Sequence, residues 1–222
     1  MNAMPSAAPI AKPSIYPWHH LLTIEELSDE QLHLLLNTAR SWAEAVPSCL
    51  NGRTIALLFH EASTRTRVSF ELAAKRLGAH TTTIEAAASS ATKGETLTDT
   101  MYTLAAMGVD GIVLRHSQND AAAELSRLAP AGVSLINAGD GIHAHPSQAL
   151  LDVLTVERAG LTVAGATLTI VGDIRHSRVA KSNIALWQRL GVKEIRLVAP
   201  AELLPENTMA GPVTVFSDFD SA

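Results

Sequence analysis

From Arg53 onward, short apolar or β-branched runs alternate with longer segments of helical period, and glycines or small-residue loops stand at many of the joins. This alternation leaves few folds open. Strands separated by helices of that length are parallel neighbours joined by crossovers, so the chain is expected to build βαβ units. The pattern predicts strands over 53–59, 81–85, 110–115, 134–137, 167–172, 194–198 and 213–216. It predicts helices over 64–77, 96–107, 121–128, about 148–157 and 179–190. Ahead of them, Ser28 with Gln31 makes a capping-box pattern, and Leu32, Leu35, Leu36, Ala39 and Trp42 recur at helical spacing through Ala45. Gly78 and Gly108 stand where the second and third helices should stop. The expected class is α/β, with two doubly wound domains of mainly parallel strands, hinged by the helix near 148–157.

The ends are less regular. Four prolines in the first 17 residues suggest an extended, weakly ordered lead over 1–17. At the other end VTVFSDFDSA stops just after a strand, where the next helix should begin. The expectation is a first domain over 18–147 and, over 148–222, the linking helix with a second domain that lacks its last layer.

Composition excludes several functions. Apolar residues make up 47% and charged residues 18%, with a net charge of −5 and no basic run interleaved with aromatics, so no nucleic-acid partner is expected. No apolar run approaches the roughly 20 residues of a membrane span. The lead lacks a charged region followed by an apolar stretch, so it does not read as a secretory signal. A single cysteine, Cys49, excludes an internal disulfide and fits a reducing compartment, so a cytoplasmic protein is expected.

The chemistry concentrates where the first core strand hands over to a helix, at Ser63-Thr64-Arg65-Thr66-Arg67. A helix N-terminus presents unpaired backbone N–H groups and the positive end of the helix dipole, which together favour an anion. Ser63, Thr64 and Thr66 add hydroxyl donors, and Arg65 adds a planar fork suited to phosphate oxygens. A capped helix with solvated arginines is the plain alternative, and Arg67 is equally spaced to pair with Glu71 four residues on. His143-Ala144-His145 could be a metal pair, but no further ligand spacing in the sequence supports one, and Gly139-Asp140-Gly141 is not a dinucleotide fingerprint. No metal and no cofactor are expected.

The run Ser63-Thr64-Arg65-Thr66-Arg67, continued by Ser69-Phe70-Glu71, Ala73 and Gly78, resembles the phosphate-binding signature of the aspartate and ornithine carbamoyltransferases. Further segments resemble that family in the same order: SSATKGETLTDT at 89–100, VLRH at 113–116, HPSQALLD at 145–152 and VGDIRHSRVAKSN at 171–183. The resemblance covers the chain from about residue 18. Glu61, two residues before Ser63, together with Leu151-Asp152 and the KGET loop, favours the aspartate enzymes over the ornithine ones.

The resemblance implies a reaction and a site. The carbamoyl group of carbamoyl phosphate would pass to the amine of L-aspartate, as in pyrimidine synthesis. Ser63, Thr64, Arg65 and Thr66 would bind phosphate. Arg115 and His145, with Thr66, would hold the carbamoyl oxygen, where charge builds as the amine attacks, and Arg115 could reach phosphate as well. Gln148 would hold the carbamoyl amide, and Arg178 the acceptor's α-carboxylate. Ser89 and Lys93 would reach into a neighbouring subunit's site, making a homotrimer with shared sites the minimal assembly. Some relatives build larger assemblies with regulatory or dihydroorotase-like chains. The departing phosphate could take the amine proton, so no dedicated base is implied. Asp173 would be a structural aspartate near the site, and His176 and Lys181 are read as solvated. Relatives run beyond residue 222 into further acceptor contacts. Two other readings stay open: a carbamoyltransferase for ornithine or a related amine, and a non-catalytic fragment or assembly subunit that binds carbamoyl phosphate.

Overall fold

A computed structural model describes residues 19–42, 45–85, 95–205 and 210–221. The expected lead over 1–17 lies outside the described residues. In chain order the elements are β1 (His20–Leu21), α1 (Asp29–Trp42), β2 (Thr54–Phe59), α2 (Thr64–Arg76), β3 (His80–Glu85), α3 (Leu97–Ala106), β4 (Gly111–His116), α4 (Ala121–Ser126), β5 (Ser134–Asp140), α5 (Pro146–Arg158), β6 (Thr167–Val171), α6 (Arg178–Arg189), β7 (Glu194–Val198) and β8 (Val213–Phe216). A 3₁₀ turn, Ala201–Leu203, precedes β8.

All strand pairs are parallel, in a five-stranded sheet of order β1-β5-β4-β2-β3 and a three-stranded sheet of order β6-β7-β8. The α/β, doubly wound reading therefore holds. In the first sheet the chain steps outward from β2 to β3, then returns to place β4 on the other side of β2. The connections leaving β2 and β4 diverge, and a crevice opens at the C-terminal ends of these two strands. Open α/β sheets bind ligands at such a switch point.

Alternation along the strands feeds a core on each face. Ala56 and Leu58 of β2 and Ile112 and Leu114 of β4 join Met101 and Leu104 of α3 and Leu125 of α4. Leu57, Phe59 and Val113 point the other way, against Phe70 of α2. Burial on both faces explains why these strands read as unbroken apolar runs. A third cluster joins Leu32 and Leu36 of α1, Ala149 and Val153 of α5, Ile184 and Trp187 of α6 and Ile195 and Leu197 of β7. The junction between the sheets is thus broader than the single helix expected near 148–157, because α1 packs into the second sheet's core. Polar contacts reinforce it. Arg40 of α1 meets Glu157 of α5 with Nε–Oε2 at 2.9 Å, and Arg189 of α6 donates to the carbonyl of Ile24 at 2.7 Å.

Local rules account for most boundaries. The Ser28–Gln31 box forms, with the Ser28 N–H on Gln31 Oε1 at 2.8 Å and the Gln31 N–H on Ser28 Oγ at 3.2 Å. Gly78 takes φ +91° at the end of α2, a region costly for a residue with a Cβ. Two boundaries differ from the sequence reading in ways that matter. β5 runs on past its expected end at Asn137 through Ala138-Gly139-Asp140, where glycine and polarity hid it. α5 begins at Pro146 rather than near 148, because proline's missing N–H costs nothing at a helix start. β1, only two residues long, has no legible period. Glu71 pairs with Lys75 at Nζ–Oε1 2.6 Å, so it is not reserved for Arg67.

Two substitutions test this packing. Leu114 is 1% exposed between α3 and α4, whereas Met107 is 75% exposed. Leu114→Ala is expected to lower unfolding free energy by about 2–5 kcal/mol. Met107→Ala should stay within about 0.5 kcal/mol of the parent in the same denaturant titration.

Candidate active site

The crevice beyond β2 and β4 holds a carboxylate, its side chain 38% exposed, between two guanidinium groups. Arg115, near the end of β4 and in register with Phe59 of β2, sends Nη2 to Glu61 Oε1 at 3.3 Å and Nη1 to the Ala138 carbonyl at 3.3 Å. Its side chain is 10% exposed, and its Nε is buried without a hydrogen-bond partner. Arg178, the first residue of α6, reaches Glu61 Oε2 with Nη1 and Nη2, each at 3.0 Å, and donates to the Gly141 carbonyl at 2.9 Å. Glu61 thus ties the β2–α2 loop of the first sheet to a helix of the second. Burial pulls the Arg115 pKa below the ordinary arginine value, Arg178 adds to that shift, and Glu61 opposes it. Within this set two cations face one anion.

The floor beneath the two arginines is Gly139, at φ +114°. A Cβ there would lie 2.9 Å from Arg178 Nε and 3.1 Å from Arg115 Nη1, so only glycine lets both side chains settle. The loop after it is braced from within. Asp140, 2% exposed, accepts on Oδ1 from Asn137 Nδ2 at 2.9 Å and the Ala144 N–H at 3.0 Å. On Oδ2 it takes the Asp120 N–H at 2.8 Å and meets His143 Nδ1 at 3.0 Å. Asn137 also donates to the Leu22 carbonyl at 2.9 Å, tying the brace to the chain beyond β1.

That brace brings Asp120, Asp140 and His143 together, with one ligand-capable atom from each within 4.8 Å of the others. Asp140 stands three residues before His143, and Asp120 joins them only through the fold. The cluster has the donor types of a metal site, but the Asp140 oxygens are already committed to organising the loop.

His145 caps the start of α5 and is 6% exposed. Its backbone N–H donates to Ser182 Oγ on α6 at 2.9 Å, and its Nδ1 lies 3.3 Å from Ser147 Oγ. Burial, then Arg178 and Arg115, push its pKa from 6.5 down to about 4, against the smaller opposing pull of Asp152 and Asp140. The ring is therefore neutral at neutral pH. Gln148, in the first turn of α5, donates its Nε2 to Asp152 Oδ1 at 2.9 Å.

Ser63 is the N-cap of α2, with φ −161° and no side-chain cap hydrogen bond. The first-turn N–H groups of α2 therefore open toward the same strand ends as Arg115. Thr64 and Arg65 are exposed, Thr66 is half-buried, and Arg65 has no partner among the described residues. Ser89 and Lys93 lie outside the described residues.

The structure gathers Arg115, Arg178 and His145 into one crevice, with Ser63–Thr66 at the neighbouring helix start and Gln148 one turn into α5. Sequence reasoning used Glu61 only as a marker of acceptor type and missed its ion pairs, one of which joins residues 117 positions apart. It also missed Asn137 and Asp140. A cluster of Asn, Gly and Asp after a strand is the signal that could have found them. Lys181 is not simply solvated, because its Nζ donates to the Ile142 carbonyl at 2.8 Å. His176 is exposed, as expected, and pairs with Asp173 at 3.0 Å.

Comparison with known proteins identifies the family. Residues 19–158 match the family described as aspartate/ornithine carbamoyltransferase, carbamoyl-P binding domain. The aspartate carbamoyltransferase catalytic subunit of Gluconobacter oxydans is 51% identical over 211 residues, covering 91% of this chain and 66% of the relative. The corresponding subunit of Pelotomaculum thermopropionicum is 52% identical over 192 residues, covering 83% and 61%. Aspartate transcarbamoylase from Trypanosoma cruzi, crystallised with carbamoyl aspartate and phosphate, superposes with a TM-score of 0.76 at 36% identity, over 83% of this chain and 61% of that one. The catalytic subunit from M. jannaschii gives 0.76 at 36% identity, over 85% and 63%. The chain thus spans slightly less than two thirds of the length of these relatives. A match over most of the first sheet and α5, and relatives at half identity over nearly the whole chain, place this protein in the aspartate/ornithine carbamoyltransferase family.

Proposed function

We propose that this chain carries the carbamoyl phosphate site, and part of the acceptor site, of an aspartate carbamoyltransferase. The amine of L-aspartate attacks the carbamoyl carbon, a C–N bond forms, and the carbon's bond to the phosphate oxygen breaks. The products are N-carbamoyl-L-aspartate and phosphate, which leaves with the amine proton. The observation that carries this reading is the buried Arg115. One of its donors, Nε, lacks a partner, and it sits beside an uncapped helix N-terminus at the sheet's switch point. A buried orphan donor on a cation calls for an anion or a carbonyl oxygen.

The roles follow from donor type and place. Ser63, Thr64, Arg65 and Thr66 bind phosphate with the first-turn N–H groups of α2. Arg115, His145 and Thr66 stabilise the carbamoyl oxygen as charge builds on it. Gln148 binds the carbamoyl amide. Arg178 binds the acceptor's α-carboxylate, and Glu61, already on its fork, must share it with that carboxylate or yield it. Residues 18–147 form the carbamoyl phosphate-binding domain, and 148–222 the linking helix with part of the aspartate-binding domain.

The same reading includes a homotrimer in which Ser89 and Lys93 serve a neighbouring site, and the half-exposed Val68 and Leu72 on α2 suit an intersubunit contact. Larger assemblies with regulatory or dihydroorotase-like chains remain part of the proposal. Among the described residues no helix is long and apolar enough to cross a membrane. A cytoplasmic site of action fits the substrates.

His145 works here as a neutral imidazole, and two measurements check it. In an NMR titration of the histidine ring protons, the His145 signal should stay flat between pH 8 and pH 5.5; a midpoint near 6.5 would count against this role. Stability should respond with a definite sign. The unfolded chain binds this proton near pH 6.5 and the folded chain only near pH 4, so the unfolded state holds more protons in between. Stability should therefore fall as pH drops through that window, by up to about 3 kcal/mol from this group.

Arg65→Ala should weaken carbamoyl phosphate binding by about 1.5–3 kcal/mol, the range for a charge-assisted hydrogen bond, and leave the melting temperature unchanged. Equal affinity by calorimetry would reject the role given to Arg65. The function itself is tested by product formation from carbamoyl phosphate, with L-aspartate and L-ornithine in parallel. Turnover with aspartate alone is expected of an active chain, turnover with ornithine alone overturns the acceptor, and failure to bind carbamoyl phosphate overturns the reading.

A further inference from the structure

Asp152 lies on α5 one turn beyond Gln148, and both of its carboxylate oxygens are engaged. Oδ1 accepts from Gln148 Nε2 at 2.9 Å, and Oδ2 accepts from Asn183 Nδ2 at 2.6 Å. Asn183 is 5% exposed on α6, the helix that begins with Arg178, and its own Oδ1 is buried without a partner. An ionised carboxylate only accepts hydrogen bonds. It therefore decides which end of each amide faces it. Gln148 must turn its NH₂ toward Asp152, which leaves Oε1 as the outward pole of the side chain.

We propose that Asp152 is a positioning residue that sets the polarity of the Gln148 amide, so that the site presents an acceptor to the donor substrate and selects an acyl phosphate bearing NH₂ over one bearing CH₃. The inference rests on the carbamoyl phosphate reading above. A carbamoyl NH₂ can donate to Gln148 Oε1. An acetyl methyl of similar size cannot, and would leave that oxygen desolvated and unpaired. If the amide turned over, its NH₂ would face the substrate NH₂, donor against donor, and the preference would vanish. The Asn183 contact ties the carboxylate that orients Gln148 to α6, the helix that begins with Arg178.

Calorimetry on the full chain tests the idea, using carbamoyl phosphate, acetyl phosphate and inorganic phosphate as probes. The parent should prefer carbamoyl over acetyl phosphate. Asp152→Leu should lower that ratio about tenfold, the loss of roughly one hydrogen bond, while inorganic phosphate affinity stays unchanged. In a Gln148→Ala background the same change should leave the ratio where Gln148→Ala put it, because Asp152 acts through Gln148. Asp152→Leu leaves the Asn183 amide buried with no partner. If it does not fold, Asp152→Leu with Asn183→Leu removes both partners together and is expected to fold and show the same loss. A ratio unaltered by removing Asp152, or lowered equally in the Gln148→Ala background, overturns the proposal and leaves the carbamoyl phosphate reading intact. A parent that binds carbamoyl phosphate no better than inorganic phosphate overturns that reading instead.

Discussion

Glu61 between Arg115 and Arg178 is the contact on which the rest of the crevice depends. Two guanidinium groups on adjacent elements would repel each other in a partly dry site. One carboxylate, reached by both forks, lets them stand side by side. Removing Glu61 would strand the two largely buried guanidinium groups, so losing that partner costs more than the set contributes as a whole. The arrangement is therefore poor evidence of stability and good evidence of use. Its geometry needs the strand-end switch point to place Glu61 and Arg115, and the packed start of α6 to place Arg178.

The first sheet was largely legible in the sequence because its strands are covered on both faces and read as continuous apolar runs. Ala56-Leu57-Leu58-Phe59 and Ile112-Val113-Leu114 announced themselves this way. The residues of β5 beyond Asn137 did not, since Gly139 is flexible and Asp140 is polar, and Asp140 gains its strand place by pairing with His116 of β4. α5 was legible as a helix, though its start at Pro146 was not. Propensity marks the body of an element, and capping chemistry decides its ends.

The site divided along a similar line. Residues whose role depends on local form were readable, above all Ser63–Thr66 at a strand-to-helix join. Arg115, His145, Gln148 and Arg178 could be named only through resemblance, because nothing near them in sequence distinguishes them from solvated side chains. Glu61, Asp140 and Asp152 were seen but given no physical task. Each acts on partners brought near only by the fold, and a carboxylate's work is defined by what donates to it. Lys181 went the same way, read as solvated and found holding the Ile142 carbonyl.

The broad junction between the sheets has a further meaning. Glu61 and Arg115 belong to the first sheet, Arg178 and Ser182 to a helix of the second, and α1 is shared through the cluster that holds Leu32 and Leu36. The crevice exists only where the two halves meet. An anion bound there acts as mortar as well as cargo: whatever free energy it gains from binding also fastens one half to the other.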